Sequence, residues 1–262
     1  MKRFLLTFLL LLLPFTVNAQ DFDFNRAFQD YLYNYNLYRS SHLEYVSAKS
    51  EYLTYKTLTA QTKALEATKK MLLARAETLK TYLTALRLKL KETTGILNYQ
   101  QNMYYLKLDN EVTWIGTHKN SLPSAGTLED LVKISTEAEK RYPTMEILAY
   151  QTLGTVMTGK EITLRDKINE QISKTEGKIN QIKETGEDTT TLERWLIQAK
   201  EKIKRSEEKE KEAQNLLSGI KTTDKNKIQS WNKAQKAFEE ENQYLKEAVS
   251  HLKEIIREIK SE

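Results

Sequence analysis

The sequence predicts an all-α protein: an elongated antiparallel coiled-coil bundle of long helices that follows a cleaved signal peptide. Three observations carry the prediction. Apolar residues recur at alternating three- and four-residue steps over most of the chain, the repeat of one helix face. Helix breakers are scarce, with 8 glycines and 3 prolines in 262 residues. Charged residues make up 29 % of the chain, enough to solvate the outer faces of packed helices.

Residues 1–19 read as a secretory signal peptide. Lys2 and Arg3 give a basic start, Phe4 to Val17 an apolar run interrupted at Pro14, and Ala19 a small residue at the cut, so cleavage is expected between Ala19 and Gln20. The run is short for a membrane-crossing helix of about 20 residues, and no permanent membrane span is expected after cleavage. The protein is thus expected to be exported, to the periplasm, the cell surface or the extracellular space. That setting removes nucleotide and DNA from the expected partners. The chain has no cysteine, which excludes disulfides, thiolate metal sites and a lipidated cysteine and leaves packing as the source of stability. The net charge of +5 falls to about +3 once Lys2 and Arg3 are removed; residues 20–118 carry 13 basic and 10 acidic residues, and residues 119–262 carry 26 of each. Nucleic-acid binding needs a concentrated basic stripe, and this balance lacks one.

Residues 20–118 are expected to form a long helical hairpin. No glycine or proline lies between Phe24 and Thr93, a span of about 100 Å as one helix. Tyr31, Tyr38, Tyr45 and Tyr52 stand seven apart, with Phe24, Phe28 and Tyr35 in the same stripe. Leu58, Leu65, Leu72, Leu79 and Leu86 form a second ladder, joined in its later half by Ala76, Leu83 and Leu90. The ladders are out of phase by one residue, and Tyr52, Tyr55 and Leu58 follow at steps of three, which overwinds a coiled coil and predicts a bend or partner change near residues 55–60. Thr93 to Ile96 suits a helix stop with Gly95 left-handed and Ile96 folded back on Leu90. Passage of the helix straight through Gly95 is the alternative, at about 1 kcal/mol. A second helix reaches His118, with Leu97, Tyr104, Leu108, Val112 and Ile115 inward.

Residues 119–126 (KNSLPSAG) read as a linker, and 127–262 as a helical coiled-coil region. Thr127 with Glu129 and Asp130 suits a capped helix start. Pro143 is expected to end that helix or begin the next. A long helix then runs to about Thr185 with Ile168, Ile172, Ile179 and Ile182 as its seam, and Gly186 to Thr189 form a turn and a new cap. The next seam is Leu192, Leu196, Ala199, Ile203, Ala213 and Leu217, interrupted by Ser206 and Glu210, so a looser middle is expected. After a cap at Thr222 to Asp224 the last seam is Ile228, Trp231, Phe238, Leu245, Val249, Leu252, Ile256 and Ile259. Asn242 is its one polar position, of the kind that fixes register.

Several motifs resolve into packing. The leucine ladder lacks the basic helix that a DNA-binding zipper places before it. Gly154 to Lys160 (GTVMTGK) matches a phosphate-binding loop except at its last position, where Glu161 stands in place of the hydroxyl that binds magnesium. Its two glycines suit a relaxed helix or the close approach of another segment. Leu122 to Gly126 (LPSAG) resembles a wall-anchoring signal but lies 136 residues from the chain end. The charge-free run Ile147 to Met157 is expected to be a buried helix segment rather than a membrane-seeking one. His251 with Glu247 and Glu254 forms half of a metal motif at most, and neither a catalytic grouping nor a metal site nor a cofactor is expected.

The aromatic helix is the candidate binding surface. Seven of the 14 tyrosines lie between residues 31 and 55, and tyrosine offers contact area at low entropic cost with a polar tip. Tyr31, Tyr33, Tyr35, Tyr38, Tyr45 and Tyr52 are the candidate contact residues, for a protein or a cell-surface glycan. The segments DYLYNYNLYR, SEYLTYKTLTAQTKALEATK, TYLTALRLKLKETTG and LPSAGTLEDL resemble those of secreted all-helical proteins from uncultivated candidate-phylum bacteria, a group with no known activity. In being exported, cysteine-free and basic, the chain also resembles periplasmic coiled-coil chaperones of the Skp type. The expected function is a non-enzymatic scaffold or adhesion module of the cell envelope. A periplasmic holdase is the alternative and a helical pore-forming protein a further one. Seams of this kind self-associate readily, so a homo-oligomer is compatible with the pattern.

Overall fold

The computed structural model describes residues 23–261. The expected signal peptide and its cleavage point at Ala19 and Gln20 lie outside the described residues. Among the described residues the chain is all-α, with six helices and no strand: α1 (Phe24–Tyr55), α2 (Leu58–Glu92), α3 (Asn98–Ser121), α4 (Leu128–Glu184), α5 (Thr190–Ser218) and α6 (Lys227–Ser261). None of these helices is long and apolar enough to cross a membrane.

The single helix expected from Phe24 to Thr93 is two. α1 stops at Tyr55, Lys56 turns left-handed at φ 51° with its N–H bonded to the Tyr52 carbonyl, and the Thr57 side chain accepts from the Ala60 N–H to cap α2. The reversal needs no glycine: one left-handed lysine costs about 1–2 kcal/mol, which the pairing of two long helices offsets. α2 then retraces α1. Lys63 meets Glu51 at 3.0 Å, Lys70 meets Glu44 at 2.6 Å, Thr78 donates to the Asn34 carbonyl at 3.0 Å, and the Phe24 N–H donates to Glu92 at 2.9 Å. The steps of three at Tyr52, Tyr55 and Leu58 therefore mark a full reversal rather than a bend. Leu58, expected as the first ladder rung, is 79 % exposed because it begins α2 at the hairpin tip; Leu72 and Leu86 are buried.

Gly95 is left-handed at φ 78° between α2 and α3, so the chain turns there. Tyr104, Leu108 and Ile115 of α3 are buried and Val112 is half-buried, whereas Leu97, expected inward, is the exposed residue before the helix. The supposed linker 119–126 is packed. α3 continues to Ser121, and Leu122 and Ala125 are buried with Met71, Leu72 and Leu131. Thr127 and Asp130 then form a capping box that starts α4, satisfying two backbone N–H groups at once.

α4 runs through Pro143, where a helix end was expected, for 57 residues, about 85 Å. An internal proline costs about 3 kcal/mol. Packing on both sides holds the helix: Leu131 is buried before it, Met145 and Leu148 after it, and Arg141 forks onto Glu111 at 2.7 and 3.0 Å. This helix belongs to two bundles. Met145, Leu148, Ala149 and Val156 pack against α2 and α3 in one core, while Ile168, Ile172 and Ile179 pack against α5 and α6 in another. Between them Ile147, Leu153 and Met157 pack against Leu217, Trp231 and Phe238. The charge-free run Ile147 to Met157 is thus covered on more than one face, as a helix apolar all round must be. The phosphate-loop look-alike is continuous helix. Its glycines serve approach: a Cβ on Gly154 would stand 2.1 Å from Leu217, and one on Gly159 would stand 2.6 Å from the Thr94 carbonyl oxygen.

Gly186 is left-handed at φ 88°, and the side chain of Asp188, not that of Thr189, accepts from a backbone N–H, that of Thr190 at 2.9 Å. The α5 seam is buried as expected. Its middle is not loose. Ser206 is fully buried and donates to the Ile203 carbonyl, and Glu210 pairs with Arg165 of α4. Arg165 also reaches Glu241 of α6 at 3.4 Å and Glu207 at 3.9 Å. Asn242 extends this ionic layer by donating to Glu161 at 3.0 Å. On α6, Trp231, Phe238, Leu245 and Leu252 are buried and Val249 and Ile259 half-buried, but Ile228 and Ile256 are exposed. Ile255, three residues after Leu252, takes the buried place expected of Ile256 at the end of the seam.

Candidate functional site

α1 and α4 both pack on α2 with their backbones held apart, and an open cleft of about 640 Å³ remains between them. A single wide stripe of side chains makes each wall. From α1 come Tyr31, Tyr35 and Tyr38, which recur at steps of four and three and so share one shoulder of the helix. From α2 come Tyr82 and Arg75, one turn on either side of Leu79 at the floor. From α4 come Tyr142 and Tyr150, with Glu139 and Glu146 beside them.

The α1 rings continue as a row along that shoulder. Phe24 stacks on Phe28 with centroids 5.6 Å apart, Phe28 lies 5.9 Å from Tyr31, and Tyr31 lies 6.0 Å from Tyr35. Tyr31 also meets Tyr82 across the hairpin at 5.2 Å. Further along, Tyr38, His42 and Tyr45 follow at 5.8 and 5.9 Å. Such offset and tilted contacts stabilise aromatic pairs beyond their buried area, and they hold the ring faces in fixed orientation.

The structure therefore gathers three of the six predicted tyrosines, Tyr31, Tyr35 and Tyr38, at the cleft. Tyr45 adjoins it through His42, is half-buried and packs against the core that holds Met71 and Leu72. Tyr52 is half-buried and lies outside the cleft. Tyr33 is 65 % exposed and, two residues from both Tyr31 and Tyr35, points away from them. Tyr82, Tyr142 and Tyr150 complete the site and were missed by sequence reasoning. One signal could have found the last two: Tyr142, Glu146 and Tyr150 recur at steps of four, a polar aromatic stripe on one face of α4.

The polar groups of the cleft are largely uncommitted. Tyr150 donates to Glu146 at 3.1 Å, and Lys227 lies 3.8 Å from that carboxylate. Arg75 donates to the Ser135 hydroxyl at 3.1 Å, which in turn donates to Glu139 at 3.4 Å. The phenols of Tyr31, Tyr35, Tyr38, Tyr82 and Tyr142 make no hydrogen bond within the described residues. Burial raises the phenols of Tyr31, Tyr82 and Tyr142, reinforced respectively by Tyr35, by Tyr31 and by Glu146. Burial and the hydrogen bond to Glu146 push Tyr150 up to about 12. All four remain protonated hydrogen-bond donors at neutral pH.

Elsewhere, among the described residues, no group of three or more His, Cys, Asp or Glu side chains is placed to hold a metal ion. Glu247, the acid four residues before His251, is engaged by Lys202 at 2.7 Å. No protein-family model matches the chain, and neither a curated protein nor a solved structure matches it.

Proposed function

We propose that the protein is an exported, non-enzymatic interaction module of the cell envelope. Its helices form an antiparallel coiled-coil scaffold, and its contact surface is the tyrosine cleft between α1 and α4. The observation that carries this reading is the convergence of six tyrosines from three helices on one open cleft, five of them with unbonded hydroxyls. Tyrosine-rich surfaces of this kind concentrate binding energy. The chain from Gln20 onward, mixed with envelope fractions of the source cells, is expected to sediment with them. A Tyr35→Ser, Tyr142→Ser double variant that keeps its helical circular dichroism is expected to remain in the supernatant. Equal sedimentation of the two proteins would overturn the reading.

A holdase role is the second reading, favoured by the exposed Leu53, Tyr55 and Leu58 at the α1–α2 hairpin tip, an apolar end that could engage unfolded exported chains. A Leu53→Ser, Leu58→Ser variant separates the two readings. If the tip acts as a holdase, this variant loses suppression of client aggregation while envelope binding stays unchanged; suppression absent from the parent protein removes the reading. The pore-forming alternative requires exposure of Ile147 to Met157, a segment built into two cores.

A further inference from the structure

Resting on the cleft as the contact surface, we infer that its ligand is a neutral oligosaccharide. The sugar-binding chemistry has three parts, and the cleft supplies each.

Sugar rings present a C–H face that packs on an aromatic ring and an edge of hydroxyls that need directional partners. The cleft offers aromatic rings from opposite walls, Tyr31 and Tyr35 on α1 and Tyr142 on α4, while Tyr150 beside them is stacked on Trp231 at 5.2 Å. It offers five phenols without hydrogen bonds, each able both to donate and to accept. It also offers a paired donor and acceptor: Arg75 and Glu139 are joined through the Ser135 hydroxyl at 3.1 and 3.4 Å and neither makes an ion pair among the described residues. A guanidinium and a carboxylate side by side suit two neighbouring hydroxyls of one sugar.

The alternatives fit less well. An apolar helix seated here would cover phenols, the guanidinium and carboxylates without bonding them, at about 1–3 kcal/mol for each group left unsatisfied. A strongly cationic or anionic ligand would meet charges of both signs, since Arg75 opposes Glu139 and Lys227 lies by Glu146. The cleft volume of about 640 Å³ falls in the usual range for small-ligand sites.

The probes are cellotetraose, chitotetraose, maltotetraose and mannotetraose, titrated into the chain from Gln20 onward by calorimetry and by the NMR signals of its tyrosine rings. At least one is expected to bind saturably and, in excess, to release the protein from envelope pellets. Tyr142→Ala should weaken that binding about tenfold, a loss of 1.4 kcal/mol. Tyr142→Phe and Glu139→Gln, which keep ring and shape, should each weaken it severalfold. Binding of none of the four sugars, or unchanged binding by Tyr142→Phe and Glu139→Gln, would overturn the inference. Envelope binding that resists all four sugars yet is lost in the Tyr35→Ser, Tyr142→Ser variant would point to a protein ligand, sinking the sugar and sparing the contact surface. Envelope binding that survives both treatments would sink both.

Discussion

Arg165→Met is expected to destabilise the protein by about 3 kcal/mol at neutral pH, in the range seen when one partner of a buried ion pair is removed. Arg165 stands in the ionic layer between α4, α5 and α6, where it touches Glu210, Glu241 and Glu207. Glu241 is fully buried, and its second carboxylate oxygen has no hydrogen-bond partner. Burial, then Glu210 and Glu161, push its carboxyl from 4.5 up to about 8, with Arg165 pulling the other way. The folded protein therefore holds a proton that the unfolded chain releases. The stability gained from that proton is complete below pH 4.5 and is lost as pH rises through about 8. Without Arg165 the pull that lowers the Glu241 carboxyl is gone, so the deficit of Arg165→Met should widen as pH rises through about 8. Glu241→Gln, which cannot ionise, should flatten the pH profile and exceed the parent protein in stability above about pH 8. Urea unfolding across this range reads both variants. An Arg165→Met deficit under about 1 kcal/mol at every pH would show that the layer is not a stabilising contact.

Gly159→Ala is the second change of large expected effect, at about 1–3 kcal/mol, the usual cost of forcing extra volume into a packed contact. The new Cβ would stand 2.6 Å from the Thr94 carbonyl oxygen and 2.6 Å from Ile96. Backbone, not a flexible side-chain tip, would have to move. The crossing is reciprocal: a Cβ on Gly95 would stand 2.2 Å from the Gly159 carbonyl oxygen, and Gly95 is also left-handed at φ 78°. Gly95→Ala should therefore cost at least as much, through strain as well as collision. The double variant should lose less than the sum of the two, because both damage one contact. Gly116, with nothing within 4 Å of a Cβ, is the control: Gly116→Ala should not destabilise, and helix propensity favours it by about 1 kcal/mol. Thermal unfolding of the four proteins tests the set, and parent-like melting of Gly159→Ala would sink the close-packing account.

Much of the helical layout was legible because periodicity is local. Buried Ile168, Ile172 and Ile179 on α4 and the whole α5 seam lie where three-four spacing puts them. Breaks were harder to read. The reversal after Tyr55 uses a lysine in a left-handed turn and a threonine cap, and neither residue type is reserved for that task. Pro143 misled in the other direction, since its local penalty is outweighed by packing that sequence does not display. Polarity misled at the linker, where Leu122 and Ala125 anchor a turn that reads as a spacer.

Half of the cleft was visible for the same reason. Tyr31, Tyr35 and Tyr38 announce one face of one helix, whereas Tyr82, Tyr142 and Tyr150 join them only through the packing of α1 and α4 on α2. The ionic layer was hidden in the same way. Arg165 lies 45 residues from Glu210 and 76 from Glu241, so Glu210 looked like a weakness of the α5 seam when it was one side of a contact, while Ser206 bonds within its own helix.

The unbroken course of α4 through both cores has a thermodynamic consequence. Two bundles joined by a flexible tether can lose their order one after the other, each with its own melting point. A helix that supplies a wall to both cores couples them, so the two halves are expected to melt in one transition, which calorimetry reads. Damage to the ionic layer near Arg165 is then felt as a lowered stability of the distant tyrosine cleft, whose α4 wall stands on the same helix.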